Sequence, residues 1–417
     1  MSRASFFAVL FCLGCYASRE ATPDALHPDA GVDFDADVDA DSARDADVDT
    51  GRYVPPPDPV IEDPPPPPTG EPLRAVEVVL TDSHACALDD AGRVWCWGMF
   101  PPAEIRRSPR TYPTPVPVQI GPLPALTTIG LIGGTVCGID RASQTWCWGF
   151  AEFRSRGATY DMRPLPEPEL SPADALPSVC AVSAGRLRCH PFSIVAPEEL
   201  GDLEGVTDFV EYTIGDGGGC VLSTVGVRCA GDEVSGLAGD GDRNDGAPLF
   251  PARVVDLGYL DSRAFCALDV EGELRCWGPL RPQQLGLEAT SPPCFEGALV
   301  NCADVPTGPL PVPRLQALSR GQALCGLTTD HEVWCWLGPD DACEDVRTCL
   351  EGPTRIEIEP VATLSASDSG VCAVTRSGGI RCFALANTIL RGDGSPEQRV
   401  EDRGTQPTSW VSGFVQD

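Results

Sequence analysis

Ser83-His-Ala-Cys-Ala-Leu-Asp-Asp-Ala-Gly-Arg-Val-Trp-Cys-Trp-Gly98 reads as a β-hairpin, with apolar strand residues on either side of an Asp-Asp-Ala-Gly turn. Setting Cys86 opposite Cys96 puts Ala87 against Trp95 and Leu88 against Val94, with a short loop over Asp90 to Gly92. Alternation then places Trp95 and Trp97 on one face, and Cys86 with Cys96 on the other. Small Ala85 and Ala87 oppose the two indoles, so the pairing is sterically sensible.

The rest of the chain repeats this unit. Further copies place their cysteine pairs at Cys137 and Cys147, Cys180 and Cys189, Cys220 and Cys229, Cys266 and Cys276, Cys325 and Cys335, and Cys372 and Cys382. Within a copy the cysteines are nine or ten residues apart, and copies start 40 to 59 residues apart. That period belongs to propellers and solenoids. Most hairpins are preceded by strand-like pieces such as Pro115-Val-Pro-Val-Gln-Ile120 and Leu126-Thr-Thr-Ile-Gly130. Two such pieces and a hairpin make the four strands of one blade. The first copy has no Pro-x-x-Val piece before it, and the chain finishes with Gln406-Pro-Thr-Ser-Trp-Val-Ser-Gly-Phe414, which looks like the missing strand. The expectation is an all-β, seven-bladed β-propeller over residues 74–417, closed by a C-terminal strand that completes the first blade.

The 417 residues carry a net charge of −31 and no Lys, which argues against nucleic acid, since phosphate binding needs a cationic surface. Arg106-Arg-Ser-Pro-Arg110 is the densest basic cluster and reads as a solvated loop. Twenty cysteines are too many for a reduced cytosolic chain without metal motifs. The N-terminus agrees. Residues 1–15 hold one Arg and then an apolar run too short to span a bilayer, ending in Leu13-Gly14-Cys15 as a bacterial lipoprotein signal does. Lipidation at Cys15 is the leading expectation, and plain secretion with cleavage near Ala17 or Ser18 the alternative. Residues 16–73 form an Asp/Pro-rich tether, with fifteen acidic residues against two Arg between Glu20 and Glu71. Such a segment repels itself and has little to bury.

His84-Ala-Cys-Ala-Leu followed by Gly92-Arg-Val-Trp-Cys-Trp-Gly98 resembles the repeat of the regulator of chromosome condensation family, in its cysteine-rich bacterial secreted or lipoprotein form. The family's glycine-rich tail is visible in part at Gln284-Leu-Gly286, Ser235-Gly-Leu-Ala-Gly-Asp-Gly241 and Leu390-Arg-Gly-Asp-Gly394. The resemblance implies a seven-bladed ring. The founder's nucleotide-exchange activity is not implied, because this chain is acidic and reads as exported. Bacterial relatives include a secreted inhibitor of β-lactamases, which makes a protein-binding platform the implied role.

Opposed residues in an antiparallel pair lie about 4.5–5.5 Å apart, within the reach of a disulfide, so the fourteen hairpin cysteines read as seven staples. Zinc would need compact four-ligand spacings that none of these pairs offers. Cys294 with Cys302 and Cys343 with Cys349 fall in two insertions, at 286–312 and 337–352. Local pairs are the first choice there, and crossed pairs between the insertions the alternative. Seven of the eight Trp lie in the hairpins' second strands, a repeated position that suits packing between blades. His27, His84, His190 and His331 stand in no nucleophile or metal motif, and Asp240-Gly-Asp-Arg-Asn-Asp-Gly246 reads as a turn rather than a calcium loop. No cofactor, metal or catalytic residue is expected.

The function expected from these features is a non-catalytic, extracytoplasmic binding scaffold. It is a monomer, anchored only by lipid at the outer membrane, cell surface or periplasm, or else secreted. It recognises a protein partner through its non-repeating loops. A carbohydrate or cell-wall binding module is the alternative, and an enzyme with a site in the central channel stands third.

Overall fold

The computed structural model describes residues 72–100, 107–108, 112–132, 135–150, 160–177, 180–189, 204–212, 218–231, 249–251, 253–260, 264–280, 285–286, 301–303, 305–321, 324–336, 353–367, 370–384 and 409–415. Cys15 and the whole of 16–71 fall outside these residues, as do His27, His190, the turn at 240–246 and Cys294, Cys343 and Cys349. So does the side chain of Cys302.

Seven antiparallel hairpins form, one per copy, and each joins its cysteines at directly opposed positions. The first is His84–Asp89 against Val94–Phe100, with Ala85 opposite Trp97 and Ala87 opposite Trp95. The seven Cα–Cα distances are 4.0 to 4.2 Å, each bridged by a disulfide. A loop this short restricts the unfolded chain by about 2–3 kcal/mol per bridge on the chain-entropy estimate.

An inner strand precedes each of six hairpins: Ala75–Leu80, Leu126–Ile132, Val206–Tyr212, Val254–Leu260, Leu315–Leu318 and Val361–Ser367. All six carry a β-bulge at the same place, and the extra residue of each (Val76, Thr127, Thr207, Val255, Gln316 or Ala362) is exposed. An outer strand completes most sheets, and it follows its hairpin rather than preceding it. Tyr112–Ile120 pairs with Val94–Phe100 of the first hairpin, and the outer strands of the fourth, fifth and sixth sheets are Phe250–Pro251, Asn301–Ala303 and Thr354–Ile356.

The closing strand is therefore corrected by one position. Ser409–Trp410 pairs with Arg381 and Cys382, so it completes the seventh sheet, while the first sheet is already complete. Local pattern is neutral on this point, because a proline-rich strand between two hairpins can pair with either. Pro113, Pro115 and Pro117 stand at alternate positions, so their missing N–H donors fall on one side and the strand suits only a sheet edge. Among the described residues the third sheet has two strands, Cys180–Ser183 and Arg186–Cys189. The second has five, because Arg107–Ser108 adds outside Tyr160–Pro166. The arginine cluster read as a solvated loop is thus partly a strand.

Neighbouring sheets meet through one repeated contact. The cystine face of one sheet packs on the indole face of the next: Cys86 and Cys96 lie with Trp146 and Trp148, and Cys266 and Cys276 with Trp336. Cys220 lies with Trp277, and Cys372 and Cys382 lie with Trp97. The last of these joins the seventh sheet to the first. Trp97, Trp148, Trp277 and Trp336 are at most 1% exposed.

Hydrogen bonds repeat around the same circuit. In six of the seven copies the carbonyl of the turn's left-handed residue accepts from the start of the next sheet: Gly92 O from Leu126 N–H (2.9 Å), Ser143 O from Ala173 N–H (2.9 Å), and Gly185 O from Val206 N–H (2.9 Å). Gly272 O accepts from Leu315 N–H (3.0 Å), His331 O from Val361 N–H (3.1 Å), and Gly378 O from Ala75 N–H (2.8 Å). Between the fourth and fifth sheets, Asp208 Oδ2 accepts from Leu257 N–H at 3.1 Å. Since the bond from the seventh sheet to the first is of the same kind as the others, the seven sheets form a closed propeller.

Candidate functional face

In an up-and-down sheet the connections alternate between two ends, and here the ends differ in kind. At one end lie the hairpin turns, which are built to be rigid. Asp89 Oδ1 accepts from Ala91 N–H and Arg93 N–H, and Gly92 N–H donates to Asp89 O. Asp140 and Asp269 repeat this arrangement, and Thr328 and Thr375 reproduce part of it with a hydroxyl. Asp89 and Asp140 also accept from the indoles of Trp95 and Trp146, both at 3.0 Å.

The turn requires a positive φ at its fourth residue. Gly92 has φ +84°, and a Cβ there would lie 2.8 Å from Leu126 O. Gly92→Ala is expected to cost about 1–2 kcal/mol in chemical denaturation. Ser143 occupies the same place at φ 61°, so Ser143→Gly should raise stability by several tenths of a kcal/mol in the same measurement.

At the other end, the inner strand passes to the hairpin and the hairpin passes to the outer strand. The second kind of connection varies most. It runs from nine residues (151–159) to twenty-four (385–408), and one such connection includes the 337–352 insertion. The described part of this end centres on His84, which is fully buried. Its Nδ1 lies 3.0 Å from Thr81 Oγ1 and 3.1 Å from Ser83 Oγ, and its main chain bonds Thr81 in both directions. Beside it, the Asp82 carboxyl is pushed above the usual carboxylate range by burial, which outweighs a hydrogen bond from Ser367.

Burial lowers the His84 pKa to about 4. The unfolded chain therefore takes up a proton near pH 6.5 that the folded chain refuses until about pH 4. Stability contributed by neutral His84 is full above pH 6.5 and is lost as pH falls through that window, about 3 kcal/mol in all. Denaturation at pH 7 and pH 4 checks this: His84→Gln should lose less stability than the parent protein over that interval.

The channel edge is structural. Glu77 accepts from Thr128 Oγ1 and from Ile129 N–H at 2.8 Å, and Asp256 Oδ2 accepts from Leu318 N–H at 2.7 Å. With Asp208, these carboxylates occupy one strand position and bond the backbone of the next sheet. Aligning the copies on their inner strands would have revealed this spacing, which the hairpin alignment missed. The six exposed bulge residues at the same level are uncharged. Among the described residues no group of three or more His, Cys, Asp or Glu side chains converges to hold a metal ion. No helix among them is long and apolar enough to cross a membrane.

The structure does not gather the sequence-derived candidates into one site. The fourteen hairpin cysteines are distributed around the ring as seven separate staples, and the described indoles are buried or half-buried. His331 serves the sixth turn at φ 66°, with Nδ1 3.0 Å from Val361 O.

Residues 75–99, the first inner strand and hairpin, match the family Regulator of chromosome condensation (RCC1) repeat. The remaining hairpins share that hairpin's cystine register. One copy of the repeating unit is thus a regulator of chromosome condensation repeat. A comparison with curated proteins gives no match. Among solved structures, the repeats are similar to yeast RCC1 (Prp20) bound to Kap60, at 15% identity over 81% of this chain and 75% of that one, TM-score 0.42. They are also similar to the CRINKLY WD40 ectodomain of the Arabidopsis thaliana receptor kinase ACR4, at 17% identity over 76% and 96%, TM-score 0.43. No activity or partner is taken from either. The seven cystines among the described residues point to an oxidising environment.

Proposed function

We propose that this protein is a non-catalytic, extracytoplasmic binding scaffold, anchored through lipid on Cys15 and recognising a protein partner with the loops at one end of its ring. One observation carries the reading. The connections that vary most in length leave the sheets at the same end, while the opposite end carries the repeated turns that join sheet to sheet. Variable loops on a rigid scaffold are where recognition resides.

The test uses the full exported protein. Cross-linking and capture from its own cell envelope, before and after deletion of 337–352 and of 287–300, should lose the same partner in at least one deletion. Capture unchanged by both deletions would sink the idea. The anchor is tested separately: radioactive palmitate should label the parent chain and not Cys15→Ser.

A further inference from the structure

The seven hairpin cystines are alike in register and unlike in cover. In five copies the second cysteine is at most 1% exposed: Cys96, Cys147, Cys276, Cys335 and Cys382. Each of these has the outer strand, or the residues leading from it, directly beside it. Val118 stands opposite Cys96, Leu165 opposite Cys147, Thr354 opposite Cys335 and Ser409 opposite Cys382. Thr307 does the same for Cys276. It donates its N–H to the cysteine's carbonyl at 2.9 Å and accepts the cysteine's N–H on Oγ1 at 3.1 Å.

Cys189 and Cys229 are half-buried, while their partners Cys180 and Cys220 are fully buried. Among the described residues the third sheet ends at Arg186–Cys189, with no strand outside it. In the fourth sheet the outer strand Phe250–Pro251 pairs only with Val227 and Gly226, so it stops two residues short of Cys229. The third cystine lacks a further cover. In four copies the residue after the second cysteine is Trp97, Trp148, Trp277 or Trp336, and it packs on the cystine of the preceding sheet. In the fourth copy that residue is Ala230, which lies against Cys180 and Cys189. A methyl group shields far less than an indole. Access to a sulfur is one of the factors that decide how fast a cystine exchanges with a thiolate.

We propose that Cys180–Cys189 and Cys220–Cys229 are thiol-exchange sites, each taking a small external thiol at its half-buried sulfur. The external thiolate attacks Cys189 Sγ and forms a mixed disulfide there. The electron pair of the broken S–S bond leaves on Cys180, which takes a proton from water. A second external thiolate attacks the external sulfur of the mixed disulfide and releases Cys189, which is protonated in turn. Two external thiols are thereby oxidised to one disulfide, and one cystine is reduced to two thiols. Cys229 and Cys220 follow the same course. Exchange is confined to the neighbouring third and fourth hairpins, and the other five staples stay closed. None of this depends on the protein-binding reading above.

The probe is reduced glutathione, added to the full protein in the absence of denaturant at mildly alkaline pH, where thiolate forms. Samples are quenched with a fast alkylating reagent at intervals, and each cysteine is mapped by peptide mass. Cys180–Cys189 and Cys220–Cys229 should open at least about tenfold faster than the other five hairpin cystines, which need a sheet to open first. Early in the reaction the glutathione adduct should sit on Cys189 and Cys229, and the alkyl label on Cys180 and Cys220. Ala230→Trp should slow exchange at Cys180–Cys189 and leave Cys220–Cys229 unchanged; if that variant melts early, the map of the parent protein decides alone. The proposal is overturned if all seven cystines open at a common rate, or if either named bridge opens no faster than the covered five. Early adducts on Cys180 and Cys220 would overturn the choice of attacked sulfur.

Discussion

Trp97→Ala is expected to destabilise the protein by about 3–5 kcal/mol, the cost of emptying a well-packed aromatic site. Trp97 is fully buried and shares a cluster with Ala85 and Ala87 of its own sheet and with Cys372, Cys382, Val411 and Phe414 of the last. Small side chains on one side and a cystine on the other leave little able to move into the space. Chemical denaturation of the non-reduced protein measures the loss. Trp95→Ala is the comparison: Trp95 is only half-buried and donates to Asp89, so its removal should cost clearly less. Equal and small losses for both would mean that the first and seventh sheets do not close on each other.

Ending the chain after residue 408 should cost about 4 kcal/mol or more, because it removes two fully buried apolar side chains, Val411 and Phe414. It also removes main-chain bonds. Leu73 N–H donates to Gly413 O at 2.9 Å, and Val415 N–H donates to Leu73 O at 3.0 Å. The removed segment thus joins the end of the chain to Leu73, just before the first inner strand. Arg381 holds the last strand from outside: it is stacked 4.2 Å over Trp410 and bonded twice to Glu359, whose pKa is lowered chiefly by that pairing. Trp410→Ala alone should cost about 1 kcal/mol, the worth of a partly exposed cation–π contact. Denaturation midpoints, together with faster proteolysis near residue 72 in the shortened chain, are the readouts. A shortened chain as stable as the parent would remove the C-terminal segment from any role in closure.

The two predictions also separate two kinds of information. Hairpin register was legible because cysteines and tryptophans alternate: once Cys86 faces Cys96, every other pair in the strand follows. The indoles were read correctly as packing between blades for the same reason, since a residue repeated on one strand face must meet a repeated neighbour. Assignment of the Pro-x-x-Val strands was not legible. Their pattern marks them as edge strands but carries no signal of which hairpin they join, and the ring is identical in strand number either way.

Less of the candidate site could be read in advance. Arg107–Ser108 reads as part of a loop because its partner strand, Tyr160–Pro166, lies some fifty residues further along the chain. The roles of Glu77, Asp208 and Asp256 are not visible in the hairpin pattern because the N–H groups they bond belong to a different copy of the repeat. His84 stands in no recognisable motif, and its full burial is a matter of packing.

By itself the sequence determined what repeats: seven hairpins and their cystine pairs. Each depends on residues within about ten positions, where backbone geometry leaves one answer. Only the tertiary structure decided how the repeats meet. It set which strand completes which sheet and which end keeps the variable loops. Those outcomes depend on contacts between residues distant in sequence, and no local periodicity encodes them.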